Sequence, residues 1–258
     1  MEFVASGKVF VGAQGHVRVV EFRRGPENFF DFELIRNLEA VFNDLGRDPA
    51  CRSIVLASEG KAFCAGASYA AMQGPVDPED LRKLYDAAGA LFRSPKPVVA
   101  AIQGAAIGGG LGMALSADFR VASPAARFSA NFVKIGIHPG FGVSLTLPHV
   151  IGFQRASFMI QTGRRIQAEQ ALAWGLVDQV VPAEDLRAAA IALAQEIGEA
   201  APLGLAAARR TLRDGLAEAV SERVRLEAAE QLRLYATKDF AEGARAVQER
   251  RPGNFIGA

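Results

Sequence analysis

The sequence predicts an α/β fold, and three observations carry that prediction. Short apolar runs of strand length alternate with helix-period segments from residue 8 to residue 122. Two of the buried strands run into small-residue turns, KAFCAGAS at 61–68 and QGAAIGGG at 103–110. Beyond residue 183 the pattern is helical almost throughout, so an alternating first part gives way to helices alone.

The chain has 258 residues, 50% hydrophobic and 22% charged, enough to bury a full core and too apolar for disorder. A formal net charge of +1 argues against a dedicated nucleic-acid or membrane-surface binder. Two cysteines, Cys51 and Cys64, stand without a partner motif, which suggests a reducing compartment and no structural metal. The N-terminus has no basic segment followed by a long apolar one, so no secretory signal is expected and the protein reads as cytoplasmic.

In chain order, residues 8–11 and 17–22 read as strands joined by a turn at Ala13-Gln14-Gly15. After a break at 25–28, Asp31 caps a helix carrying Leu34, Leu38, Val41, Phe42 and Leu45 on one face. Residues 53–57 form a buried strand turned by Glu59-Gly60. Asp77-Pro78 opens a second helix with Leu81, Leu84, Tyr85, Ala88 and Phe92. Residues 119–122 supply a further strand and 128–133 a candidate one. Residues 167–174 form a helix stopped by Gly175, and 176–181 a strand stopped by Pro182. The helical run from 183 to 250 breaks near Ala201-Pro202 and Asp214-Gly215. The expected division is a core at 1–200 and a helical region at 201–258.

The segment KPVVAAIQGAAIGGGLGMALSAD, residues 96–118, organises the rest. Residues 97–117 carry no charge and are long enough to span a bilayer. Pro97, Gln103-Gly104 and the Gly108-Gly109-Gly110 triplet argue instead for a strand at 98–102, a turn at 103–108 and a buried helix from 110 to 117. Glycines at a helix start let a ligand approach the backbone, and the free first-turn N–H groups with the helix dipole favour an anion or oxyanion. The same glycines also permit tight helix-on-strand packing.

KAFCAGAS, then KPVVAAIQGAAIGGG with its helix and DFRVAS, then TGRRIQAEQALAWGLVDQVVP, resemble the enoyl-CoA hydratase/isomerase (crotonase) superfamily over nearly the whole chain. The resemblance implies a crotonase-like spiral of strand-strand-helix turns, with a C-terminal helical region that assembles trimers or hexamers. It implies an acyl-CoA thioester as substrate, with coenzyme A part of the substrate and no separate cofactor. By motif position the thioester carbonyl would sit between the N–H groups of Ala67 and Gly109, each such donor commonly worth about 3–4 kcal/mol. Ala65, Gly66, Ala67, Ser68, Gly108, Gly109 and Phe132 would line the substrate path. Ser68 stands where the family usually has Asp.

The acid–base groups depart from the family pattern. The three positions where its members place carboxylates hold Gly112, Phe132 and Gly140 here. Hydration needs a base for water and an acid for carbon, each worth about 10²–10⁴-fold, and these residues supply neither. His138, because imidazole titrates near neutrality, and Tyr69, with Ser68 beside it, are the candidate replacements, and the substrate itself is the remaining alternative. Asp118, at the end of the buried helix, reads as a structural hydrogen-bonding residue between helix and strand. Cys64, in an apolar loop, reads as a buried small hydrophobe rather than a nucleophile. No G-x-S-x-G elbow, Walker A loop or dinucleotide fingerprint is present.

Two functions from different classes follow. One is an enzyme stabilising a thioester enolate, motivated by the intact amide motifs. The other is a non-catalytic acyl-CoA-binding pseudoenzyme, motivated by Gly112, Phe132 and Gly140. An apolar wall at Phe132, with Phe141 beside it, suits a hydrophobic or aromatic acyl group better than a hydroxylated one.

Overall fold

A computed structural model describes residues 1–68 and 76–258. Three antiparallel strands open the chain: β1 (Phe3–Ser6), β2 (Val9–Gln14) and β3 (Val17–Phe22). Then come α1 (Phe32–Arg47), β4 (Ser53–Ser58), α2 (Pro78–Ala90), β5 (Val98–Ile102), β6 (Ala105–Ile107), α3 (Gly109–Ser116), β7 (Phe119–Ala122) and β8 (Arg127–Ser129). The next stretch holds α4 (Val143–Ile151), α5 (Phe153–Thr162), β9 (Ile166–Gln167), α6 (Ala168–Ala173) and β10 (Gln179–Val180). Four helices finish the chain: α7 (Leu186–Glu199), α8 (Pro202–Leu212), α9 (Leu216–Tyr235) and α10 (Lys238–Gln248).

The main sheet runs β1-β2-β3-β4-β5-β7-β10, parallel from β3 onward. Parallel neighbours need long crossovers, and α1, α2 and α3 lie in the connections that supply them. α7 covers one face, packing Leu186, Ala190, Ile191 and Ala194 on Val19, Val55, Val99 and Val121. The other face, with Val20, Phe22, Leu56 and Ile102, meets α1, α2 and the rest of the core. β4 and β5 are buried on both faces, which is why they read as continuous apolar runs rather than alternations.

The caps form where the residues predict them. Asp31 accepts from the Leu34 N–H at 2.9 Å to start α1, and Asp77 accepts from Glu79 and Asp80 ahead of Pro78 in α2. Residues 96–118 fold as strand and helix, and no helix among the described residues is long and apolar enough to cross a membrane.

Three local expectations change. The turn expected at 103–108 contains β6, which leaves the main sheet to join a second one, β6-β8-β9. The strand expected at 128–133 ends at Ser129 and becomes a 3-10 turn, Asn131–Ile135, closed by Gly136 in the left-handed region. The strand expected at 176–181 is only Gln179–Val180. Arg120 takes over part of its pairing: its backbone N–H donates to the Asp178 carboxylate and its Nε to the Leu176 carbonyl.

Candidate active site

The 61–68 loop is laid against β6 by backbone pairing. Cys64 N–H donates to the Ala105 carbonyl and Ile107 N–H to the Cys64 carbonyl, both at 3.0 Å. Phe30 N–H donates to the Gly66 carbonyl at 3.0 Å, which ties the loop to the segment before α1. Gly66 has φ +92, and a Cβ there would come within 2.9 Å of the Ile107 carbonyl oxygen, so only glycine makes this turn. The same Cβ would lie 3.9 Å from the Gly109 nitrogen, which places the residue before Ala67 against the first turn of α3.

Gly109 is the first residue of α3, where an N–H has no partner in its own helix. Among the described residues neither Ala67 nor Gly109 donates its N–H to a protein acceptor. Ala67, Gly109 and Phe132 line two adjoining cavities and therefore form the neck between them. The outer cavity, about 180 Å³, is also lined by Phe29, Ala65, Gly66, Ser68, Gly108 and Asn131. The inner one, about 30 Å³, is closed by Phe30, Leu84, Phe141, Tyr85, Gln231 and Tyr235. All seven proposed substrate-path residues thus converge on one place.

Two large residues occupy the space beside the missing carboxylates. A Cβ on Gly112 would lie 2.6 Å from the Phe141 Cβ and 2.8 Å from its carbonyl oxygen. Phe141 has φ +61, an outlying conformation for a bulky residue, and its ring packs edge-on against Phe30 at 5.4 Å. A Cβ on Gly140 would overlap the Tyr85 hydroxyl and stand 2.7 Å from Gln231 Nε2. Phe132, at the third position, is 3% exposed and forms part of the neck.

His138 lines neither cavity. Its Nδ1 lies 2.8 Å from the Pro139 carbonyl oxygen, and its own carbonyl accepts from Gln231 Nε2 at 2.7 Å. Tyr69 lies outside the described residues. Cys64 is fully buried, and burial pushes its thiol up to about 12, so it is no thiolate nucleophile near neutrality. Asp118 accepts from the Val98 N–H at 2.8 Å and pairs with Arg209 and Arg213, each at 3.0 Å, so its role is to fasten elements together.

The side chains that residue order did not single out for the site are Tyr85, Gln231 and Tyr235. Tyr85 and Gln231 are 146 residues apart, and each by itself reads as an ordinary helix-face residue. Beyond the outer cavity lies a cleft of about 730 Å³, sharing Asn131 and Val247 with it and lined by Lys134, Arg164, Arg165, Arg250 and Arg251. Of these, Arg251 is already paired with Glu242 and Glu249.

A spiral α/β fold with two amides that have no protein acceptor among the described residues, at a cavity neck, defines a class, and comparison with known proteins gives the family. Residues 12–258 match the enoyl-CoA hydratase/isomerase family. An enoyl-CoA isomerase/hydratase of Mycosarcoma maydis is 36% identical over 214 residues, 81% of this chain and 78% of that protein. A carnitinyl-CoA dehydratase of Proteus mirabilis is 32% identical over 263 residues, 98% of this chain and 99% of that one. The crystal structure of an enoyl-CoA hydratase/isomerase from Pseudoalteromonas atlantica superposes with a TM-score of 0.86 at 27% identity, covering 97% of this chain and 100% of that one. The chain belongs to the enoyl-CoA hydratase/isomerase family and has the crotonase fold.

Proposed function

We propose that this protein is an acyl-CoA enzyme that stabilises a thioester enolate between the N–H groups of Ala67 and Gly109. The observation that carries the reading is the pair itself: two amides from separate segments, without protein acceptors among the described residues, meet at the neck of a cavity. Donors fixed in advance at the point where negative charge develops cost no reorganisation during reaction. Supporting it, the outer cavity gives room for a pantetheine arm, and the neighbouring basic cleft suits the phosphates of coenzyme A.

The residues at Gly112, Phe132 and Gly140 make the acid–base step atypical. No carboxylate lines the neck or the inner cavity among the described residues, so two-carboxylate hydration is disfavoured. Proton transfer then falls to the Tyr69 phenol, to water or to the substrate, as in isomerisation or decarboxylation of a thioester. The same absence favours the second reading, a non-catalytic thioester binder.

Turnover of a panel of enoyl, dienoyl and malonyl-type CoA esters separates the two. The enzyme reading expects at least one to react, and Ala67→Pro, which deletes one donor, to lower kcat by about 10²–10³ while circular dichroism stays native. Binding of these esters without turnover of any of them supports the pseudoenzyme and ends the enolate proposal.

A further inference from the structure

Gln231 is 2% exposed, and both ends of its amide are committed. Nε2 donates to the His138 carbonyl at 2.7 Å. A carbonyl oxygen faces the donor end of an amide, so this contact fixes the orientation of the group. Oε1 is thereby turned to Tyr85 and Tyr235, whose hydroxyls both stand 2.8 Å from it. An amide oxygen only accepts, so each phenol gives its single proton to Gln231. Burial holds the Tyr235 phenol well above its ordinary ionisation range, which keeps that proton in place. The Tyr235 oxygen retains acceptor capacity, and the residue lines the inner cavity.

That cavity is small. Its volume is about 30 Å³, and it adjoins the outer cavity at Ala67, Gly109 and Phe132. A thioester carbonyl held at the neck therefore places only the first acyl carbons beside Tyr235. We propose that the Tyr85–Gln231–Tyr235 cluster is the specificity element of the site, selecting a short acyl group that carries a hydroxyl on its second or third carbon. This rests on the thioester reading given above and reverses the acyl class expected from Phe132 and Phe141 alone: that wall stays apolar, while the phenols at the inner cavity ask for a hydrogen-bond donor.

Two isosteric pairs of CoA esters test it by calorimetric titration: 3-hydroxypropionyl-CoA against butyryl-CoA, and 2-hydroxypropionyl-CoA against 2-methylpropionyl-CoA. In at least one pair the hydroxylated member binds about tenfold tighter, the worth of one hydrogen bond in a buried site. Tyr235→Phe keeps the ring that packs on Phe240 at 4.7 Å, so the fold is retained while the oxygen is lost. In that variant the hydroxylated ester falls to the affinity of its isostere. Equal affinities within both pairs, or a preference that survives Tyr235→Phe, overturns the proposal. Binding of none of the four esters is a different result, since it removes the thioester reading itself.

Discussion

At the scale of single residues, the informative positions are the glycines whose missing side chains have been replaced by neighbours. Gly112 faces the backbone and ring of Phe141, and Gly140 faces the Tyr85 hydroxyl and Gln231. A carboxylate restored at 112 has no space unless Phe141 moves. Gly112→Glu is therefore expected to gain no hydration of crotonyl-CoA, followed as loss of enoyl absorbance. Overpacking of this kind typically costs about 1–3 kcal/mol, which a urea titration reads. A gain in hydration from this single change would show that the space is less committed than the contacts imply. Gly110 makes the companion case. A Cβ there would overlap the Cys64 carbonyl, so Gly110→Ala pushes the 61–68 loop off the start of α3. Loss of thioester affinity together with a lowered melting temperature is the expected outcome.

At the scale of elements, α9 reaches across the molecule to complete both α4 and the inner cavity. Glu227 is fully buried and caps α4: its carboxylate accepts from the N–H of Gly142 at 2.7 Å, the N–H of Ser144 at 3.0 Å and the Ser144 hydroxyl at 2.6 Å. Burial nevertheless outweighs these donors and raises its carboxyl above the ordinary range. The folded chain then holds this proton more tightly than the unfolded chain does. Its contribution to stability is full below the ordinary glutamate value of about 4.3 and is lost as pH rises through the raised value. Denaturation midpoints across that window should fall with pH in the native chain relative to Glu227→Gln, and parallel curves would refute the assignment. One turn further along α9, Gln231 orders Tyr85 and Tyr235. The start of α1 was legible in sequence because Asp31 caps its own helix. The start of α4 was not, because its cap arrives from residue 227 and leaves no local signal.

At the scale of the whole molecule, Asp118 ties the alternating core to the C-terminal helices. It sits between α3 and β7 and holds Arg209 on α8 and Arg213 just beyond, all three side chains at most 15% exposed. Removing one partner of such a group leaves buried charges uncompensated, at a cost of about 3–5 kcal/mol. Asp118→Ala should lose that much stability in chemical denaturation, and a loss under 1 kcal/mol would mean the arginines find water instead. The same change should loosen α8 before the sheet, visible as earlier amide exchange in residues 202–212.

The sequence by itself determined the elements whose causes lie within a few residues. Apolar runs gave β4 and β5, and side-chain caps gave α1 and α2, while the glycine segments pointed to Ala67 and Gly109 only through family resemblance. Tertiary structure decided what stands where the carboxylates are absent. Phe141, Tyr85, Gln231 and Tyr235 come from separate loops and helices, and their meeting at one cavity depends on contacts as far as 146 residues apart. Local periodicity reports which face of an element is buried, but not which distant side chain it is buried against. The chemistry of the inner cavity was therefore fixed only when the helices packed.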